Sequence, residues 1–139
     1  MFTPYQIIES RALGADCILL IMACLEDEQA KELEFIAHSL GMDVLIETHN
    51  LEEVERALTH LTSNMIGINN RNLKTFETSL TVSEELCKHI PDNKIIISES
   101  GLYNKDDLDR MAQHNMTNFL IGESLMRQDD VTNALRKLL

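Results

Sequence analysis

Glu47, Asn69, Glu99 and the triplet Gly122-Glu123-Ser124 each close, or directly follow, a short apolar run. A carboxylate such as Glu47, placed after Val44-Leu45-Ile46 at the rim of an apolar sheet, is partly desolvated. Its pKa then moves toward that of a useful general base. The plain alternative is a solvated glutamate at a strand end, and position alone leaves both open. Asn69-Asn70-Arg71-Asn72 puts hydrogen-bonding side chains in a row. Arg71 offers a fork that fits a carboxylate or a phosphate, and Asn69 can orient a substrate or steady a developing oxyanion. An Asn-rich turn would use the same residues, because Asn tolerates left-handed backbone; their density at a strand end favours function. Ser100-Gly101 and Gly122-Glu123-Ser124 follow the last two runs, where glycine lets backbone N–H groups approach an anion. Glu47 and His49 share a strand face, but no third ligand accompanies them, so no metal site is expected.

The elements that must position these residues are legible as alternating strands and helices. Apolar runs at 17–22, 44–48, 65–69, 94–98 and 118–122 read as strands. They are nearly continuous in apolar residues, as parallel strands covered on both faces are. Thr3, Pro4 and Gln6 mark a helix start by N-cap, first-turn proline and capping box, with Phe2 and Ile7 as its staple. Asn50 with Glu53, Thr81 with Glu84, and Asn104 with Asp107 mark three more. Leu33, Ile36, Ala37 and Leu40 recur at helical spacing before Gly41. The spacing of the strands matches successive βα units rather than hairpins. The chain is therefore expected to be one α/β domain over residues 1–139, with five parallel strands alternating with helices. In α/β barrels the chemistry sits where strands end and βα loops begin. A free-standing doubly wound domain would also fit five such units, but Met22-Ala23-Cys24-Leu25 supplies no phosphate loop or acidic pocket after the first strand.

Composition narrows the class. With 139 residues, 44% hydrophobic, the chain can build a real core. A net charge of −11 argues against nucleic-acid binding through phosphates. No apolar run is long enough to span a bilayer and no leader pattern opens the sequence, so no membrane partner is expected. The three cysteines, Cys17, Cys24 and Cys87, have no metal or redox spacing and read as reduced thiols of a cytoplasmic protein. Met42, Met65, Met111, Met116 and Met126 read as core filler, and His38, His60, His89 and His114 as surface or capping residues.

Taken together, the strand-end residues carry a family resemblance. The segments are Gly14-Ala15-Asp16 with Ile18-Leu19-Leu20-Ile21, and Gly41-Met42-Asp43-Val44-Leu45-Ile46-Glu47. Gly67-Ile68-Asn69-Asn70-Arg71-Asn72-Leu73-Lys74-Thr75-Phe76 is the most specific, and Ser98-Glu99-Ser100-Gly101 and Ile121-Gly122-Glu123-Ser124-Leu125-Met126 complete the set. In this order they resemble indole-3-glycerol-phosphate synthase of tryptophan biosynthesis over essentially the whole chain. The resemblance implies the fourth to eighth strands of a (β/α)8 barrel, a partial TIM barrel. It implies a lyase that closes and decarboxylates carboxyphenylamino-deoxyribulose phosphate, a phosphorylated small molecule, without metal or organic cofactor. It matches Glu47 to the general base of the dehydration step and Asn69 to a substrate-orienting amide. Glu99 matches the glutamate that positions a catalytic lysine, Arg71 the arginine beside the substrate carboxylate, and Ser100 a substrate contact. Leu19 matches an apolar wall, and Gly101, Gly122, Glu123 and Ser124 the phosphate cradle.

The departures carry expectations too. The family's first and third strands bear two active-site lysines and a glutamate that this sequence does not contain, and none of its own lysines stands at a matching strand end. Thr62-Ser63-Asn64 replaces the more usual Gly-Ala. The chain alone is expected to be weak or inactive, because losing a general acid costs about 10² to 10⁴ in rate. Open sheet edges are expected to favour self-association or a separately made N-terminal half. The competing reading is a non-catalytic half-barrel remnant that self-associates or binds a phosphorylated ligand.

Overall fold

A computed structural model describes residues 1–138. Its strands are β1 (Cys17–Ile21), β2 (Asp43–Thr48), β3 (Met65–Asn69), β4 (Ile95–Glu99) and β5 (Asn118–Leu120). They form one five-stranded sheet in the order β1-β2-β3-β4-β5, every pairing parallel. Helices α1 (Pro4–Ala12), α2 (Asp27–Ser39), α3 (Leu51–His60), α4 (Thr81–Leu86), α5 (Lys105–Ala112), α6 (Glu123–Met126) and α7 (Val131–Leu138) alternate with them. Sequential order with parallel neighbours is the strand arrangement of a barrel wall. It excludes the doubly wound plan, in which the strand order reverses at a switch point.

Strand alternation divides the sheet into two faces. Ile18, Leu20, Val44, Ile46, Ile66 and Ile68 point to the helices and are buried. This layer, with Leu33, Ala37, Val54, Met111 and Met116, is the core. The opposite face carries Leu19, Leu45, Met65, Ile97 and Leu120, with Glu47, Asn69 and Glu99 at its C-terminal rim. No helix of the described residues covers that face: Ile95 is 46% exposed and Leu120 48%. The sheet is thus an open segment of a barrel, and the residues singled out at strand ends share one rim.

Several local expectations hold and several change. The α1 capping box forms as expected from Thr3 and Gln6, as does the α5 box from Asn104 and Asp107. The first strand ends a residue early, because Met22–Cys24 winds into a 3₁₀ turn. Thr81 does not cap: it is the first residue of α4, behind Leu80. Asn50 caps α3 by accepting from Glu53 N at 3.0 Å, whereas the Glu53 carboxylate turns to His49 instead of closing the box. The last strand stops at Leu120, which frees Gly122 to precede the short α6. Met42, Met111 and Met116 are buried, but Met126 is 74% exposed and is not core filler.

Two polar ties fix the loops. Glu34 on α2 accepts from Thr62 N at 3.0 Å and Ser63 N at 2.7 Å, pinning the turn into β3. Arg56 on α3 donates to Asp27 Oδ1 at 2.8 Å and to the carbonyls of Met22 and Leu25 at 3.2 and 2.6 Å. It holds the β1–α2 connection at the same end of the sheet as the strand-end residues.

Candidate active site

At the centre of the rim Glu47 and Glu99 face the open side, and both are buried, 5% and 3% exposed. Glu47 Oε1 accepts from Asn69 Nδ2 at 2.9 Å. His49 Nε2 lies 3.0 Å from the same oxygen, a close ion-pair approach whose direction is poor for a hydrogen bond. Burial alone would raise the Glu47 pKa, but the contacts with His49 and Asn69 outweigh it and hold the carboxyl below its ordinary range. Glu99 has no such counter-charge in contact. Burial first, and then the neighbouring Glu47 charge, push it up to about 8. The two carboxyls therefore divide roles at neutral pH: Glu47 ionised, Glu99 holding its proton. Two titratable groups driven apart in this way are the usual basis of an acid–base site. Glu99 Oε1 is buried without a hydrogen-bond partner.

Gly67 makes this packing feasible. A Cβ on Gly67 would lie 2.0 Å from Glu99 Oε1, so the β3 backbone serves as the floor under the Glu99 carboxyl. The sequence carried only an isolated glycine inside a strand as a signal, which marks a close approach without naming what approaches.

A second group of residues gathers beside this centre. Arg71, Ser100, Gly101, Gly122, Glu123, Ser124 and Arg127 line a cleft of about 170 Å³. Ser100 and Gly101 both take left-handed backbone, φ 64° and 72°. Glycine is required at 101, where a Cβ would meet Thr78 Cγ2 at 2.5 Å, whereas nothing crowds Gly122. A non-glycine residue at positive φ is costly and concentrates at functional sites. Ser124 Oγ donates to the Leu102 carbonyl at 3.0 Å, so its hydroxyl anchors the loop. Glu123 bridges Arg71 and Arg127. Arg71, ahead of Arg127, holds the Glu123 carboxyl below its usual range. Arg127, which no strand-end pattern marks, lies within a helical turn of Glu123, and only the fold aims it into the cleft.

Arg71 also borders a cleft of about 430 Å³ on its other side, shared with His49, Glu53 and Lys74. Asn70, in the middle of the Asn-rich run, is structural. Its amide donates to Ser98 Oγ at 3.0 Å and to the Ser100 carbonyl at 3.1 Å. Leu19 sits on the open face beside Leu45, apart from both clefts.

A model of the indole-3-glycerol phosphate synthase family matches residues 1–138. The chain belongs to this family. Indole-3-glycerol phosphate synthase of Azospirillum brasilense is 55% identical over 139 residues, which are all of this chain and 53% of that protein. The Rhodospirillum rubrum enzyme of the same name is 53% identical over the same length, again 53% of its own chain. The chain thus spans about half the length of the curated relatives it matches. Among solved structures, a mandelate oxidase variant with an FMN adduct superposes with a TM-score of 0.76 at 13% identity, over 98% of this chain and 51% of that one. KGPDC from Streptococcus mutans superposes at 0.70 and 13%, over 97% and 64%. At such identities the likeness is one of fold, and it agrees with a TIM-barrel segment. Among the described residues no helix is long and apolar enough to cross a membrane.

Proposed function

We propose that this chain contributes the C-terminal strands and half of the active site of an indole-3-glycerol-phosphate synthase. The observation that carries the reading is the placement of buried Glu47, held by Asn69, beside buried Glu99 on one rim, next to a cleft with two arginines. A phosphorylated, carboxylated substrate fits that set. Its phosphate would take the Ser100–Gly101 and Gly122–Ser124 side, and its carboxylate would meet Arg71. Glu47 is the base of the dehydration and Asn69 holds it. Because Glu123 occupies both arginines, an incoming anion must displace or share that carboxylate. The open apolar face and the unpartnered Glu99 oxygen fit a complementary α/β unit that brings cationic side chains to the rim. The non-catalytic half-barrel is the second reading. The uncovered Ile95 and Leu120 favour it when no such unit is present.

Turnover of carboxyphenylamino-deoxyribulose phosphate, followed by indole fluorescence, tests this. The chain is assayed alone and mixed with the N-terminal half of a relative, with Glu47→Gln as the control. Little turnover alone, activity on mixing and loss in the control are expected. A folded, associated mixture without turnover would leave only the binding-module reading.

A further inference from the structure

His49 has carboxylates on both sides of its ring. Nε2 lies 3.0 Å from Glu47 Oε1 on β2, and Nδ1 lies 3.0 Å from Glu53 Oε2 on α3. A neutral imidazole has one donor and one acceptor; only the protonated ring presents a donor at each nitrogen. A carboxylate oxygen 3.0 Å from each nitrogen favours the imidazolium, through a hydrogen bond at Nδ1 and a charge contact at Nε2. We propose that His49 is a positioning residue for Glu47, a cationic clamp that ties the carboxylate to the first turn of α3 and keeps it ionised.

The far end of the clamp is fixed. Glu53 Oε2 also accepts from His49 N at 2.8 Å, and Glu53 Oε1 accepts from Asn50 Nδ2 at 2.7 Å. Glu53 thus has both oxygens anchored at a capped helix start. At the near end, both held contacts of Glu47, from His49 and from Asn69, fall on Oε1. The same carboxyl also meets Glu99, which can share its proton with Glu47. The charged groups that face His49 from the surrounding elements are Glu47 on β2, Glu53 on α3 and, at longer range, Glu99 on β4. Arg71 and Lys74 of the β3–α4 loop border the same cleft. Burial opposes the charge, but the two carboxylates overcome it and raise the imidazole to about 9.

The test is the titration of His49 in ¹⁵N-histidine-labelled protein, with the Glu47 carboxyl followed by ¹³C. Both ring nitrogens are expected to stay protonated through neutral pH. Glu53→Gln is expected to weaken proton binding at His49 by tenfold or more. His49→Gln is expected to raise the Glu47 midpoint, with unchanged sheet amides confirming the fold. A neutral His49 with a single tautomer at neutral pH overturns the clamp, as does an unmoved Glu47 midpoint in folded His49→Gln. If that variant fails to fold, Glu53→Gln alone decides. The catalytic meaning of the clamp rests on Glu47 as the base, and the two ideas fail differently. Titrations as expected in a complemented protein that never turns over substrate remove the enzyme reading and leave the clamp. In an active one, His49→Gln lowers kcat and shifts its acid limb while KM holds.

Discussion

At the scale of single residues, the rim stores its electrostatics in proton affinities, and these make folding stability depend on pH. Glu99 goes from 4.5 to about 8 on folding. The folded state binds that proton more tightly, so its contribution is complete below about 4.5 and is lost as pH rises through 8. His49 goes from 6.5 to about 9. Its contribution is complete below 6.5 and is lost as pH rises through 9. Both act in the same direction, so stability is expected to fall between mildly acidic and mildly alkaline pH. Glu99→Gln should flatten the lower part of that fall and leave the upper part, which belongs to His49. Urea midpoints measured across pH check this, and a flat profile in the parent chain would refute it. The residue types at the rim were legible from strand ends alone. Their partners were not, because Glu99 meets the Gly67 backbone only through the β3–β4 register, and Glu53 reaches His49 only by leaving its capping box.

Elements were the most readable scale. Periodicity and caps place all five strands and the principal helices, since a parallel sheet needs apolar runs and each helix needs its first turn satisfied. What escaped were features set by tertiary contact. The turn at Met22–Cys24 is held by Arg56 from another helix, and α6 is only a four-residue helix beside the cleft that Arg71 and Glu123 line. Thr62-Ser63-Asn64 is also such a case: the turn is tied from afar by Glu34. Ser63 N is buried and its acceptor is that carboxylate. Glu34→Ala should therefore cost about 1 to 3 kcal/mol, the penalty for a buried amide left unpaired. It should also speed amide exchange at the start of β3 more than at β5. Equal loss of protection across the sheet would place the role of Glu34 elsewhere.

For the molecule as a whole, surface and charge pull in opposite directions. The chain presents 8294 Å² of accessible surface, against roughly 7,300 Å² for a compact monomer of its mass. The excess is what an uncovered inner face of a barrel segment contributes. Burying it against a second copy would be favourable at about 25 cal/mol per Å² of apolar area. Yet each copy carries a net charge of −11, so two copies repel one another. Repulsion between exposed charges is screened as the Debye length shrinks from roughly 10 Å at 0.1 M salt to roughly 3 Å at 1 M, whereas apolar attraction is not. Self-association is therefore expected to strengthen as salt rises across that range, the reverse of an interface built on ion pairs. Ile95→Lys, on the open face and away from the helical core, should weaken it at both ends of the range. Sedimentation velocity at low and high salt reads this directly. A monomer at every salt concentration would mean the open face does not hold a second copy, and a complementary α/β unit bearing positive charge would then be the occupant that fits both the apolar face and the acidic chain.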